Sequence, residues 1–128
     1  TLTALNLNTG KIIWQVPLGY YESLKSKGII TGTENYGGAT ATAGGLVFAG
    51  DPEGSFFALN GQTGDKLWSF QTGSGHRGGA ISYAVDGKQY IATPSGWGSS
   101  MANMVAQFFP ELQGARQGAT VFAFTLPD

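Results

Sequence analysis

Few side chains in this 128-residue chain are of types that do acid–base or metal chemistry. His76 is the single histidine, set between Gly75 and Arg77, and there is no cysteine. A histidine-based triad, a multi-histidine metal site and a thiolate metal site therefore cannot be built from these residues alone. His76 reads as a solvated loop residue. Asp51 and Glu53 have the spacing of a carboxylate pair, but the run Asp51-Pro52-Glu53-Gly54 is turn chemistry. Glu34 reads as solvent-facing, with the mouth of a site as its second reading. Trp97 is a different case, because it stands between Gly96 and Gly98 in a Gly-Ser-rich loop, outside the register that the other two tryptophans share. No catalytic residue and no metal ligand is assigned within this chain.

The elements that position these residues are declared by an internal repeat. Residues 4–14, ALNLNTGKIIW, return at residues 58–68 as ALNGQTGDKLW, with Trp14 and Trp68 separated by 54 residues. A period of that order, carried by short strands with glycine at the turn and one tryptophan per copy, marks a β-propeller blade. Residues 2–7 pair with 12–16, and 56–60 with 66–70, as two hairpins. Asn6 and Asn60 start the turns by bonding their own backbone, and Gly10 and Gly64 supply positive φ. Trp14 and Trp68 read as packing between neighbouring sheets. A third, partial copy at residues 121–126 has Ala123-Phe124 where Ala58-Leu59 stood.

The fold class expected is all-β, a partial β-propeller of about two and a half blades. Residues 1–17 are the end of one blade. Residues 18–39 carry five glycines without alternation and read as a long connection, the kind of segment that carries function on a rigid scaffold. Residues 39–72 form a complete blade with strands at 39–43, 46–50, 56–60 and 66–71. Residues 79–126 supply three strands of the closing blade, with a hairpin of 80–85 and 89–93 around Asp86-Gly87. One short helix is expected near 101–109, where apolar residues at 101, 104, 105 and 108 keep helical spacing and Pro110 ends it. A propeller closes with about four to eight blades, and the chain starts at Thr1 inside a repeat, so it is expected to be the C-terminal piece of a longer protein. Alone, such a piece is expected to be inactive, to expose strand edges and to self-associate. Seven basic against eight acidic side chains give no electrostatic case for nucleic acid or an anionic membrane.

Three segments resemble the C-terminal region of one family. Asn35-Tyr36-Gly37-Gly38-Ala39-Thr40-Ala41-Thr42-Ala43-Gly44-Gly45-Leu46-Val47-Phe48, then Thr63-Gly64-Asp65-Lys66-Leu67-Trp68, then Asp86-Gly87-Lys88-Gln89-Tyr90-Ile91-Ala92 with Ser95-Gly96-Trp97-Gly98, are similar to the quinoprotein dehydrogenases, which use pyrroloquinoline quinone (PQQ) to oxidise alcohols and sugars. The resemblance runs over nearly the whole chain, in order and with compatible spacing.

The resemblance implies an eight-bladed propeller in the periplasm, with PQQ and a calcium or lanthanide ion near its axis and with the metal ligands and a catalytic aspartate upstream of this chain. It implies a small-molecule alcohol, polyol or sugar as substrate, hydride transfer to the quinone, and cytochrome c or a quinone as electron acceptor. The blades missing here are implied partners, and nucleic acid is not one. Gly96 and Trp97 match the family segment beside PQQ, where an aromatic face and close backbone approach suit a flat ring. Tyr36 stands where methanol-oxidising members carry the tryptophan under the ring; it reads either as a ring contact or as a loop tyrosine packed on the propeller face. Asn35 and Gly37 are candidates for the same mouth. Arg77 reads as a surface turn residue, with a cofactor carboxylate as its alternative partner. The Gly96-Trp97-Gly98 loop resembles alcohol-oxidising members, whereas residues 32–38 look more like sugar-oxidising ones. The competing reading is a non-enzymatic propeller with PQQ-like repeats that serves as a protein-interaction scaffold. That reading explains Trp14 and Trp68 but leaves the two loop segments without a role.

Overall fold

Both repeats close in the same way, and the closure explains why the strands stop where they do. The Asn6 carboxamide oxygen accepts the amides of Asn8 and Thr9 at 3.0 and 3.1 Å, and that of Asn60 accepts Gln62 and Thr63 at 2.8 and 3.3 Å. Gly10 and Gly64 follow with φ of 69° and 79°, values that cost an L side chain strain. The structure, a computed structural model, describes residues 1–96, 107 and 118–126. Its strands are β1 (Leu2–Leu5), β2 (Ile12–Val16), β3 (Thr40–Ala41), β4 (Leu46–Gly50), β5 (Ser55–Asn60), β6 (Lys66–Gln71), β7 (Ile81–Val85), β8 (Lys88–Ser95) and β9 (Thr120–Phe124). They form three antiparallel sheets, ordered β1-β2, β3-β4-β5-β6 and β7-β8-β9.

The repeat extends to the register. Ala4 faces Trp14 and Ala58 faces Trp68, and in both hairpins the ladder shifts immediately afterwards, between Ala4 and Leu5 and between Ala58 and Leu59. A bulge at one place in two copies increases local twist and re-aims the side chains beyond it. β3 is shorter than expected because the Thr42 amide turns to the Leu46 carbonyl at 2.9 Å, closing the hairpin early. The turn at Asp86-Gly87 has both φ values positive, 50° and 78°, as a two-residue hairpin connection requires. In the 18–39 connection, a single helical turn, α1 (Glu22–Lys25), stands where only a loop was expected. The helix expected near 101–109 lies outside the described residues, apart from residue 107.

Strand β5 of the middle sheet is buried on both faces. In β5, Phe57 and Leu59 join Leu18 and Ala49 in a cluster that takes in Leu2, Trp14 and Val16 of the first sheet's side. Phe56 points the other way, into a cluster with Ala80 and Ile91 against Phe48 and Phe124. Period-two alternation thus serves two interfaces from one strand. Phe56 and Phe57 are 1% and 2% exposed, and each contributes about 1.5–3 kcal/mol by apolar burial.

The two repeat tryptophans cement these interfaces. Trp14 donates its indole N–H to the Gly61 carbonyl in the β5–β6 turn of the second sheet at 2.9 Å. Trp68 meets Phe124 of the third sheet edge-on, with centroids 5.1 Å apart.

Candidate functional site

The turn at residues 74–79, between β6 and β7, is where the candidate residues meet. On one side lies the loop containing Asn35, Tyr36 and Gly37. A Cβ at Gly37 would stand 3.4 Å from the His76 carbonyl oxygen, and one at Gly38 3.5 Å from the Gly79 Cα, so glycine lets the two backbones touch. On the other side lies the end of β8. The Gly96 amide donates to the Gly75 carbonyl at 2.9 Å, and Gly78 abuts the Pro94 ring, which a Cβ at Gly78 would meet at 2.5 Å. Asn35, Tyr36, Gly37 and Gly96 are therefore brought around one turn, although 59 positions separate Gly37 from Gly96 in sequence.

Each element has a local reason for its place. Asn35 spends both polar atoms on backbone, donating through Nδ2 to the Gly50 carbonyl at 2.8 Å and accepting the Gly37 amide at 2.7 Å. Its role is to hold the loop rather than to present a free carboxamide. Tyr36 is 55% exposed, and the Arg77 guanidinium carbon sits 5.4 Å from its ring centroid. Gly96 leaves no room for a side chain, because a Cβ there would fall 2.1 Å from the Gly118 carbonyl oxygen. Gly118 itself donates to Ser74 Oγ at 3.2 Å. Trp97 and Gly98 lie outside the described residues.

Sequence reasoning misplaced His76. It is 1% exposed, not solvated. Its Nδ1 lies 3.0 Å from the Pro94 carbonyl oxygen and its Nε2 3.0 Å from Thr72 Oγ1, with Thr93 Oγ1 3.3 Å from Nδ1 and the Phe56 ring alongside. Burial pulls the imidazole below its ordinary pKa, against the opposing pull of the Pro94 carbonyl and the Asp51 charge. Asp51 is buried too, and its carboxylate accepts the Ser55 amide at 2.7 Å as the expected turn demands. Desolvation raises the Asp51 pKa, and it raises that of Glu53, to which the neighbouring Asp51 charge adds. Among the described residues no three His, Cys, Asp or Glu side chains gather as a metal site.

Residues 1–91 match the family model described as PQQ: Glucose/ethanol/alcohol dehydrogenase, beta-propeller domain. The chain belongs to that family. Among curated relatives of this PQQ propeller family, the quinoprotein alcohol dehydrogenase PedH of Pseudomonas putida is 41% identical over 92 residues, 72% of this chain and 16% of the relative. A quinoprotein ethanol dehydrogenase of Pseudomonas putida is 33% identical over 127 residues, 99% of this chain and 18% of the relative. Among solved structures, a europium-containing methanol dehydrogenase superposes with a TM-score of 0.69 at 29% identity, covering 91% of this chain and 21% of that one. The quinohemoprotein alcohol dehydrogenase of Comamonas testosteroni gives 0.69 at 28%, covering 96% and 16%. The chain thus spans less than a fifth of the length of these curated relatives.

The residues present fit the family's cofactor. A flat, polyanionic quinone needs an aromatic face, a cation and backbone that tolerates close approach. The exposed Tyr36 ring, Arg77 beside it and the side-chain-free stretches at Gly37-Gly38, Gly78-Gly79 and Gly96 provide those features around one turn.

Proposed function

We propose that the protein carrying this chain is a PQQ-dependent alcohol dehydrogenase, and that this chain supplies the part of the cofactor site built from Tyr36, Gly37, Gly96 and Trp97. The observation that carries the reading is the convergence of the Asn35–Gly37 loop and Gly96 on one turn in a chain of the PQQ propeller family. Bound PQQ supplies the hydride acceptor for oxidation of the alcohol carbon. Tyr36 and Trp97 offer ring faces, Gly37 and Gly96 admit close backbone approach, and Asn35 fixes the loop through the Gly50 carbonyl. Arg77 sets a positive charge on the same face as Tyr36.

The finer assignments follow the relatives. Most relatives of this chain are alcohol, ethanol or butanol dehydrogenases, with a probable quinate dehydrogenase among them, which favours an alcohol over a sugar as substrate. A cytochrome or a quinone is the electron acceptor of this reading, since one butanol dehydrogenase relative is named for cytochrome c and another for a quinone. A calcium or lanthanide ion completes the site through ligands outside this chain, the europium-containing neighbour supporting metal dependence. A periplasmic location rests on the family resemblance.

The test is reconstitution of the full-length protein with PQQ and either calcium or a lanthanide. A saturable change in quinone absorbance, followed by alcohol-dependent reduction of an artificial dye, is expected. A protein that binds no PQQ with either ion would refute this reading and favour the scaffold alternative.

A further inference from the structure

We infer that His76 is a positioning residue that ties both halves of the cofactor face to the blade interface, acting through its two ring hydrogen bonds. The inference rests on the proposed PQQ site for its consequence but not for its geometry. The Pro94 carbonyl is only an acceptor, so the 3.0 Å contact requires Nδ1 to carry the ring proton. Nε2 is then a lone pair, and the Thr72 hydroxyl 3.0 Å away donates to it. Thr72 has a single hydroxyl proton to give. The Gly54 carbonyl, 2.9 Å from that hydroxyl, is meanwhile satisfied by the Thr72 backbone amide at 2.8 Å. The Ser74 carbonyl, 3.0 Å from the Thr72 hydroxyl, takes the Ser95 Oγ proton at 2.8 Å, which leaves the Thr72 proton for the ring. One neutral tautomer therefore satisfies the ring and orders the hydroxyl beside it.

The position of the ring connects this order to the site. Pro94 and Ser95 immediately precede Gly96, so the Nδ1 bond holds the strand end from which the Gly96-Trp97 segment departs. The ring lies against Gly50, where an added Cβ would collide with the imidazole Cγ and Cδ2. That same Gly50 accepts Asn35 Nδ2 through its carbonyl, and the His76 carbonyl lies against Gly37. The ring is thus placed between the supports of the two loops, within a frame fixed by the His76 amide donating to the Asp51 carbonyl at 3.0 Å. Supporting groups of this kind set the precision of a site that they do not touch.

The test compares two substitutions in the full-length protein. His76→Asn places an amide donor where Nδ1 stood and keeps the Pro94 bond; His76→Gln places its amide near the Nε2 position and loses that bond. In the apoprotein, hydrogen exchange at the Gly37 and Gly96 amides is expected to quicken together in His76→Gln and to stay close to wild type in His76→Asn. In the same pair, PQQ affinity is expected to fall by about tenfold or more in His76→Gln and to change by less than about threefold in His76→Asn, the scale on which outer supporting groups act in metal sites. Equal effects in both variants, tracking their loss of thermal stability, would show a merely structural histidine and overturn the inference. Wild-type exchange at both glycines in His76→Gln would overturn it too. Should the histidine variants fail to fold, Thr72→Val against Thr72→Ser asks the same question, with loss in the first and rescue in the second expected, and equal behaviour overturning it. A wild-type protein that binds no PQQ defeats the proposed function, while the exchange results still decide the role of His76.

Discussion

The indole nitrogen of Trp14 donates to the carbonyl of Gly61 across the boundary between the first and second sheets, over 47 positions of sequence. The same ring fills the space beside Gly64, where a Cβ would stand 2.8 Å from the indole Cδ2. One residue of the first repeat thus packs into the turn of the second, and this contact converts a sequence repeat into stacked sheets.

Trp14→Phe keeps most of the packing and removes the hydrogen bond, leaving a partly buried carbonyl unserved. A loss of about 1–3 kcal/mol is expected from that carbonyl. Gly64→Ala should cost about as much, since it adds a methyl against the ring and strains a residue at φ 79°. Thermal unfolding of the full-length protein checks both, and the double substitution should be less than additive because both act on one contact.

The hairpins, their glycines and the packing role of Trp14 and Trp68 were legible in the sequence because they depend on local chemistry and on a repeat that samples each position twice. Asn6 and Asn60 make the same turn, and the same bulge follows Ala4 and Ala58. His76 was not legible. It has no counterpart in the first repeat, its glycine neighbours suggest exposure, and its burial arises only when Gly50, Thr72 and Pro94 from three separate segments close around it. The candidate loop at 35–37 was found from its resemblance to a family. Its attachment to Gly50 and to the 74–79 turn required the fold.

Gly96 should tolerate no side chain. In Gly96→Ala the new methyl collides with the Gly118 carbonyl, and every atom it meets is backbone, so the β8 end must move. A loss of about 1–3 kcal/mol is expected, with weakened PQQ binding in the full-length protein. Gly44→Ala is the control. Its nearest neighbour is Thr42 Oγ1 at 4.0 Å and it has no positive φ, so its stability should stay within about 0.5 kcal/mol of wild type. Titration of PQQ into both variants, beside their melting temperatures, separates site damage from general damage.

Trp68 and Trp97 should fail in different ways. Trp68, 39% exposed, meets Phe56, Phe70 and Phe124 at ring-centroid distances of 6.3, 6.3 and 5.1 Å, so Trp68→Ala is expected to lower stability by about 1–3 kcal/mol while folded molecules still bind PQQ. Trp97→Ala is expected to do the reverse, with a small change in melting temperature and a large loss of PQQ affinity. Parallel melting curves and quinone absorbance titrations would show the crossing pattern. If both substitutions moved the same quantity, the separation of packing from cofactor tryptophans would fail.

The buried His76 and Asp51 and the half-buried Glu53 give stability a pH dependence of two opposite signs. The His76 pKa in the fold lies below 6.5, so its contribution is complete above pH 6.5 and is lost as pH falls from there through the folded pKa, where the unfolded chain takes up the proton first. Asp51 and Glu53 behave oppositely. Their folded pKa values lie above 3.8 and 4.5, so the acid form is favoured in the fold, and stability from these groups is lost as pH rises through those values toward the folded ones. Melting temperature should therefore fall on acidification from pH 7 in wild type, and His76→Gln should remove that fall. Asp51→Asn should instead flatten the drift that begins above about pH 4. It keeps a side-chain oxygen for the Ser55 amide, so the turn survives while the charge is gone. Melting curves across pH 4–8 for the three proteins test both signs, and a His76→Gln profile that still falls between pH 7 and 5.5 would place the responsible proton on another group.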